Sequence, residues 1–196
     1  MVSIGVIGVQ GAVSEHVLAT ENALDKLGLK GKVSIVKTLS DLDGVDGVIL
    51  PGGESTTISR MLGVTDLLEA IMDKIKDDDI PVMGTCAGCV LLAKKVVDKP
   101  KDLQLLELMN MEVERNAFGR QRESFEQLLE IEGFTKPFNA VFIRAPVIKR
   151  VWGSCNALSY IDDKIVMAKE KKFLAIAFHP ELTSDTRVHE YFISLI

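Results

Sequence analysis

Cys86 lies in the stretch Pro81–Ala93, PVMGTCAGCVLLA, with a glycine two residues to either side. An apolar lead-in, a glycine-flanked turn and a resumed apolar run read as strand, sharp turn and helix. That is the geometry of a nucleophile elbow, with G-x-C-x-G in place of G-x-S-x-G. Glycines suit a tight turn with nothing bulky beside the reacting atom. A thiol at a helix N-terminus faces the positive end of the dipole, which favours its reactive anionic form. A small buried cysteine at a strand-to-helix turn would fit the same residues, since free cysteines are often buried.

A cysteine nucleophile needs a base, and the base needs an orienter. Of the three histidines, His16 and His189 fall in helical patterns near the two ends of the chain. His179 instead follows the apolar, strand-like run 173–178. Glu181 stands two residues on, which in extended backbone puts both side chains on one side. Pro180 between them stiffens the link. His-x-Glu would also suit a metal, but no third ligand is obvious. Gly52-Gly53, after the apolar run 45–50, offers backbone N–H groups that can approach a developing oxyanion. The amide of Ala87, just after the nucleophile, would be a second donor. An ordinary tight turn accounts for Gly52-Gly53 as well. Glu54 follows at the same edge, where a carboxylate suits a substrate ammonium. The run Arg115-Asn116-Ala117-Phe118-Gly119-Arg120-Gln121-Arg122 is a basic loop in an acidic protein. It reads either as a binding element or as an ion-paired surface.

These residues need elements to position them. Residues 3–9, SIGVIGV, read as a buried strand, and a helical pattern follows with Ser14 as its N-cap and Gly28 as its stop. Strands follow at 32–37 and 45–50, then helical spacing from Ile58 to Ile75 with a break near Gly63, then a strand at 80–83. Four strand–helix alternations predict a parallel sheet with helices on both faces. Gln10-Gly11, Gly52–Ser55 and Cys86 then share the edge at the C-terminal strand ends, where such sheets hold ligands. Short, closely spaced apolar runs after Leu105 predict antiparallel strands added beside that sheet, and residues 188–196 close the chain as a helix. Gly5, Gly8 and Gly11 do not match the dinucleotide fingerprint G-x-G-x-x-G.

A chain of 196 residues, 47% hydrophobic and 26% charged, is expected to fold as one domain over residues 1–196. A net charge of -5 argues against nucleic acid or an anionic membrane as a main partner. Cys86, Cys89 and Cys155 cannot form an even disulfide framework. Cys86 and Cys89 make a C-x-x-C, a spacing used in redox and zinc sites, but no second ligand pair accompanies it. Cys89 falls in the apolar run and reads as core. No secretory leader pattern and no apolar run near membrane-spanning length is found. A cytoplasmic location, no metal and no cofactor are therefore expected.

Together, strand-PGGES, G-T-C-A-G and a late H-P-E resemble the triad-type, class I glutamine amidotransferases, whose sheet is flavodoxin-like. IGVIGVQGAVSEH, LPGGESTTISRML, VERNAFGRQRESFE, FIRAP and AFHPELTSDTRVHEYF carry a narrower resemblance, to the PdxT/SNO family of glutaminase subunits. It covers nearly the whole chain. The resemblance implies L-glutamine as substrate, Cys86 as nucleophile, His179 as base and Glu181 as its orienter. It further implies glutamine-binding positions at Gly53, Glu54, Ser55, Arg115, Ile143 and Arg144. Gln10-Gly11 is implied to lie near the oxyanion site and a partner interface. The implied partner is a pyridoxal 5'-phosphate synthase (PdxS-type) subunit in a heteromeric complex. A cysteine peptidase or DJ-1-like hydrolase on a similar sheet, or a non-catalytic scaffold subunit, are the competing functions.

Overall fold

The computed structural model describes residues 1–118 and 124–196. In the first half, apolar runs of strand length alternate with amphipathic stretches. They fold as β1 (Val2–Ile7), α1 (Val13–Leu27), β2 (Gly31–Val36), β3 (Gly47–Leu50), α2 (Ser55–Val64), α3 (Leu67–Asp78) and β4 (Val82–Thr85). Every residue of β3 and β4 is buried, as expected of parallel strands covered on both faces. Cys86 leads into the short α4 (Ala87–Leu92), and β5 (Ala93–Val96) follows at once. The second half supplies β6 (Met109–Glu114), β7 (Ser124–Leu129), β8 (Phe138–Ile143), β9 (Val147–Val151), β10 (Asn156–Ile161), β11 (Lys164–Glu170), β12 (Phe173–Ile176) and α5 (Arg187–Ile193).

Strands β2-β1-β3-β4-β12 are parallel neighbours in that order. The sheet continues as β11-β9-β6-β5, with β10 on β11. Here β11 runs antiparallel to β12, β9 and β10, and β9 antiparallel to β6. The expected parallel half with antiparallel additions is therefore present. Side chains alternate along the parallel strands between two cores. Ile4, Val6, Ile49 and Met83 pack with Ala23 and Leu24 of α1 and Phe192 of α5. Ile7, Val48, Leu50 and Val82 pack with Leu62 of α2 and Leu67 and Ile71 of α3. Helices thus cover both faces.

Three local expectations differ from the structure. β7 and β8 form their own antiparallel pair rather than extending the sheet. Their inward residues Leu129, Phe138 and Phe142 are needed in the core beside Phe178, so the pair lies over the sheet. Ser14 is not the N-cap of α1: Ala12 is, while Ser14 donates to Glu15 inside the helix. The preceding loop fixes that start, since the Ala12 N–H donates to the Gly52 carbonyl at 3.4 Å. The break expected near Gly63 falls at Thr65-Asp66, where Asp66 takes φ +58°. Arg120 and Arg122 of the basic loop lie outside the described residues.

The glycines of the elbow have a packing role besides the turn. A Cβ on Gly88 would come within 2.2 Å of the Leu50 carbonyl oxygen, and one on Gly84 within 2.5 Å of the Gly88 backbone. Only glycine lets α4 lie this closely on β3 and β4. Among the described residues, no helix is long and apolar enough to cross a membrane.

Candidate active site

The C-terminal ends of the parallel strands share one edge of the sheet. β1 runs into Gln10-Gly11, β3 into Gly52-Gly53, β4 into Cys86, and β12 into Ala177-Phe178-His179. β4 and β12 are hydrogen-bonded neighbours, with Thr85 opposite Ile176. The Cys86 N–H donates to the Ile176 carbonyl at 2.8 Å, and the His179 N–H to the Val141 carbonyl of β8 at 2.8 Å. Two segments far apart in sequence are thus registered by backbone bonds.

Cys86 takes φ +49° and ψ −102° at the N-cap of α4, the strained turn of an elbow. It is 8% exposed. Its Sγ lies 3.9 Å from the carbonyl oxygen of Ile143. The His179 ring bonds the Cys86 thiol on one side, and its Nδ1 bonds Oε1 of Glu181 at 2.7 Å on the other. Burial works against an imidazolium here, but the bonds to Cys86 and Glu181 and their charges outweigh it, raising His179 well above its ordinary value. The backbone between the pair is not extended. Pro180–Leu182 is a 3-10 turn with His179 at its N-cap, so a tight turn, not strand alternation, brings ring and carboxylate together.

Behind Cys86, His179 and Glu181 the structure adds two imidazoles, one from α1 and one from α5. His16 Nε2 lies 2.9 Å from Thr85 Oγ1 and 3.3 Å from Oε2 of Glu181. His16 Nδ1 lies 3.1 Å from Nε2 of His189. All three side chains are buried: His16 and His189 are 0% exposed and Glu181 is 6%. A signal existed in the sequence: both histidines stand among apolar helical positions, where a polar residue needs a partner.

In front of Cys86 opens a cavity of ≈ 390 Å³. Gln10, Gly53, Glu54, Ser55, Ala87, Arg115, Ile143 and Arg144 line it, beside Cys86 and His179. Glu181, Gly52 and Gly11 are not among the residues that line it. Gly52 packs against Cys86 and His179: a Cβ there would meet His179 Cε1 at 2.5 Å and Cys86 Cβ at 3.3 Å. Gln10 Oε1 accepts the Glu54 N–H at 3.0 Å, joining the first loop to the glycine loop. Asn116, Val90 and Pro146 also line the cavity; sequence reasoning did not single them out as site residues.

Glu54 has more partners than expected. Its carboxylate accepts from the backbone N–H groups of Thr56 and Thr57 at 3.2 and 2.7 Å. Both threonine hydroxyls donate to it too. It thereby caps α2 and pairs with Arg115 at 3.2 Å. Burial would raise this carboxyl, but the threonine bonds prevail and hold it at about 2.

The mixed sheet, ten-stranded among the described residues, with an elbow cysteine, a histidine and a glutamate at one edge, is the arrangement of a glutamine amidotransferase. A solved glutamine amidotransferase superposes with a TM-score of 0.87 at 41% identity, covering 98% of this chain and 97% of that one. At the level of fold alone, a glutamine amidotransferase from Thermotoga maritima matches with a TM-score of 0.64 at 15% identity, over 96% of this chain and 80% of its own. The chain belongs to the SNO glutamine amidotransferase family, whose model matches residues 6–196. Among its relatives is the pyridoxal 5'-phosphate synthase subunit PdxT of Pyrococcus furiosus, 46% identical over 100% of both chains. The subunit of the same name from Staphylothermus marinus is 49% identical over 98% of each.

Proposed function

We propose that this chain hydrolyses L-glutamine to L-glutamate and ammonia through a thioester on Cys86, and passes the ammonia to a synthase that makes pyridoxal 5'-phosphate. The observation that carries this is the contact chain Cys86–His179–Glu181 at the wall of a cavity of ≈ 390 Å³. The Cys86 thiolate attacks the side-chain amide carbon, and an S–C bond forms. The carbonyl oxygen becomes an oxyanion, received by backbone N–H groups of Gly52-Gly53 and Ala87. Ala87 opens α4, where a helix has no acceptor of its own for the N–H. The His179 imidazolium gives its proton to the amide nitrogen, the C–N bond breaks and ammonia leaves. Neutral His179 then takes a proton from water, whose oxygen attacks the thioester and releases glutamate. Glu181 holds the ring throughout.

The far end of glutamine carries a carboxylate and an ammonium. Arg144, which forms no ion pair among the described residues, receives the carboxylate, with Arg115 beside it. Glu54, ionised and already aligned by its threonines, faces the ammonium. Gly53, Ser55 and Ile143 complete the contacts. The Gln10-Gly11 loop, tied to the glycine loop through Glu54, is where the synthase bears on the oxyanion donors. The chain acts as a single domain, residues 1–196, in the cytoplasm.

Ammonia release from glutamine, measured with and without the synthase subunit, tests both parts. Cys86→Ser is expected to lose hydrolysis in the complex; hydrolysis at the wild-type rate would remove Cys86 as nucleophile. Equal wild-type rates with and without the synthase would contradict the partner's role.

A further inference from the structure

His16 and His189 do no work in the chemistry above, yet they are fully buried and in line with it. Oε1 of Glu181 is engaged by His179, but Oε2 is buried with no hydrogen bond of ordinary geometry. A buried carboxylate oxygen left so is unfavourable, and it leaves the carboxylate free to turn. The one polar hydrogen the neighbouring rings can bring to it is on His16, whose Nε2 lies 3.3 Å away.

The tautomers decide whether that hydrogen is there. Suppose His16 carries its proton on Nδ1 and donates to His189 Nε2. Then the bare Nε2 of His16 faces the carboxylate oxygen, lone pair to lone pair. His189 must also carry its proton on Nδ1, which has no partner, so a buried N–H is orphaned. Suppose instead His16 is protonated on Nε2. It then donates toward Thr85 Oγ1 and Glu181 Oε2 together, and His189 donates its Nε2–H to His16 Nδ1. The one unpaired atom left is an acceptor, His189 Nδ1, which proteins tolerate better than an orphaned N–H. The second arrangement removes both faults.

Resting on the glutaminase function above, we propose that His16 is a positioning residue of the triad: its Nε2–H holds the inner oxygen of Glu181 so that the outer oxygen stays aimed at His179. His189 in turn fixes the tautomer of His16 from α5. The groups that face His16 are Thr85 from β4, Glu181 and His179 from the turn after β12, and His189 from α5. Both rings stay neutral. Burial, then the charges of His189 and His179, lowers His16 well below its ordinary value, and burial lowers His189 to about 4. The carboxylate's negative charge is therefore not cancelled from behind and remains available to the His179 imidazolium.

The test compares His16→Leu, which removes the donor, with His16→Gln, whose amide N–H can reach the position of Nε2. In the complex with the synthase, His16→Leu is expected to lower kcat for glutamine about tenfold at unchanged KM, since the base is loosened rather than removed. Without substrate, iodoacetamide alkylation of Cys86 at pH 7, followed on its peptide by mass spectrometry, slows in His16→Leu. His16→Gln restores both. Wild-type kcat and alkylation in His16→Leu, or a His16→Gln as slow as His16→Leu, would overturn the proposal. If His16→Leu does not fold, nitrogen-15 NMR of the unaltered protein decides. A neutral His16 protonated on Nε2 between pH 6 and 8 supports the proposal, and an Nδ1–H tautomer or an imidazolium refutes it. The alkylation and NMR measurements need no glutamine, so their failure is distinct from a failure of the glutaminase function itself.

Discussion

Glu54 shows how one side chain can serve structure and site together. It satisfies two N–H groups at the start of α2, aligns Arg115 and lines the cavity. Replacing Glu54 by Ala is expected to lower stability by about 1 kcal/mol, the usual worth of an N-terminal cap. It should also raise KM for glutamine, because Arg115 loses its anchor; thermal melts and steady-state kinetics read the two effects separately. A KM unchanged from wild type would remove Glu54 and Arg115 from the substrate's far end. The sequence placed Glu54 at the site from its position after Gly52-Gly53, but not as a cap, because Thr56 and Thr57 look like ordinary helix residues. His179 announces itself by following the apolar run 173–178 at once, whereas His16 and His189 meet only because α1 and α5 pack side by side, and no local spacing encodes that.

At the scale of elements, the elbow depends on how closely α4 approaches two strands. The Leu50 carbonyl and the Gly84–Gly88 contact leave no room for a methyl group. Gly88→Ala should therefore cost about 1–3 kcal/mol, as overpacked cores do, and displace Cys86 as α4 shifts. A chemical-denaturation midpoint and the Cys86 alkylation rate should fall together; a stable variant with a normal rate would contradict this packing. The parallel half was legible because β1, β3 and β4 are short, largely apolar runs separated by helical spacing. The β7–β8 pair was not, since its strands alternate like any half-buried strand and nothing local says which sheet they join. Extended backbone and a 3-10 turn both allow a contact at two residues' separation, so the His179–Glu181 spacing does not tell the two apart.

For the whole molecule, burying two neutral imidazoles makes stability depend on pH. The folded pKa of each lies below its unfolded value, so the unfolded chain binds protons first as pH falls. Their contribution to stability is complete above about 6.5 and declines toward about 4, whereas the raised His179 contributes stability that is full below 6.5 and is lost as pH rises toward about 10. For His189, going from 6.5 to about 4 corresponds to about 3 kcal/mol lost at the acid end, and His16 adds to it in the same direction. Glu54 acts at still lower pH: its depressed carboxyl contributes stability above 4.5 that is lost as pH falls toward about 2. Denaturant midpoints from pH 7 to 4.5 should fall steeply; a flat profile would mean that the buried histidines accept protons without penalty.

The pairing of β4 with β12 has a consequence for the order in which the protein comes into being. Cys86 is synthesised long before His179, and the strand that leads to His179 is the last of the sheet's strands in chain order. Until Phe173–Ile176 docks against Val82–Thr85, β4 is an open edge able to pair with other chains. During that interval the cysteine has no imidazole beside it. A nascent or truncated chain is thus both aggregation-prone and chemically silent, and a single docking event ends both conditions at once.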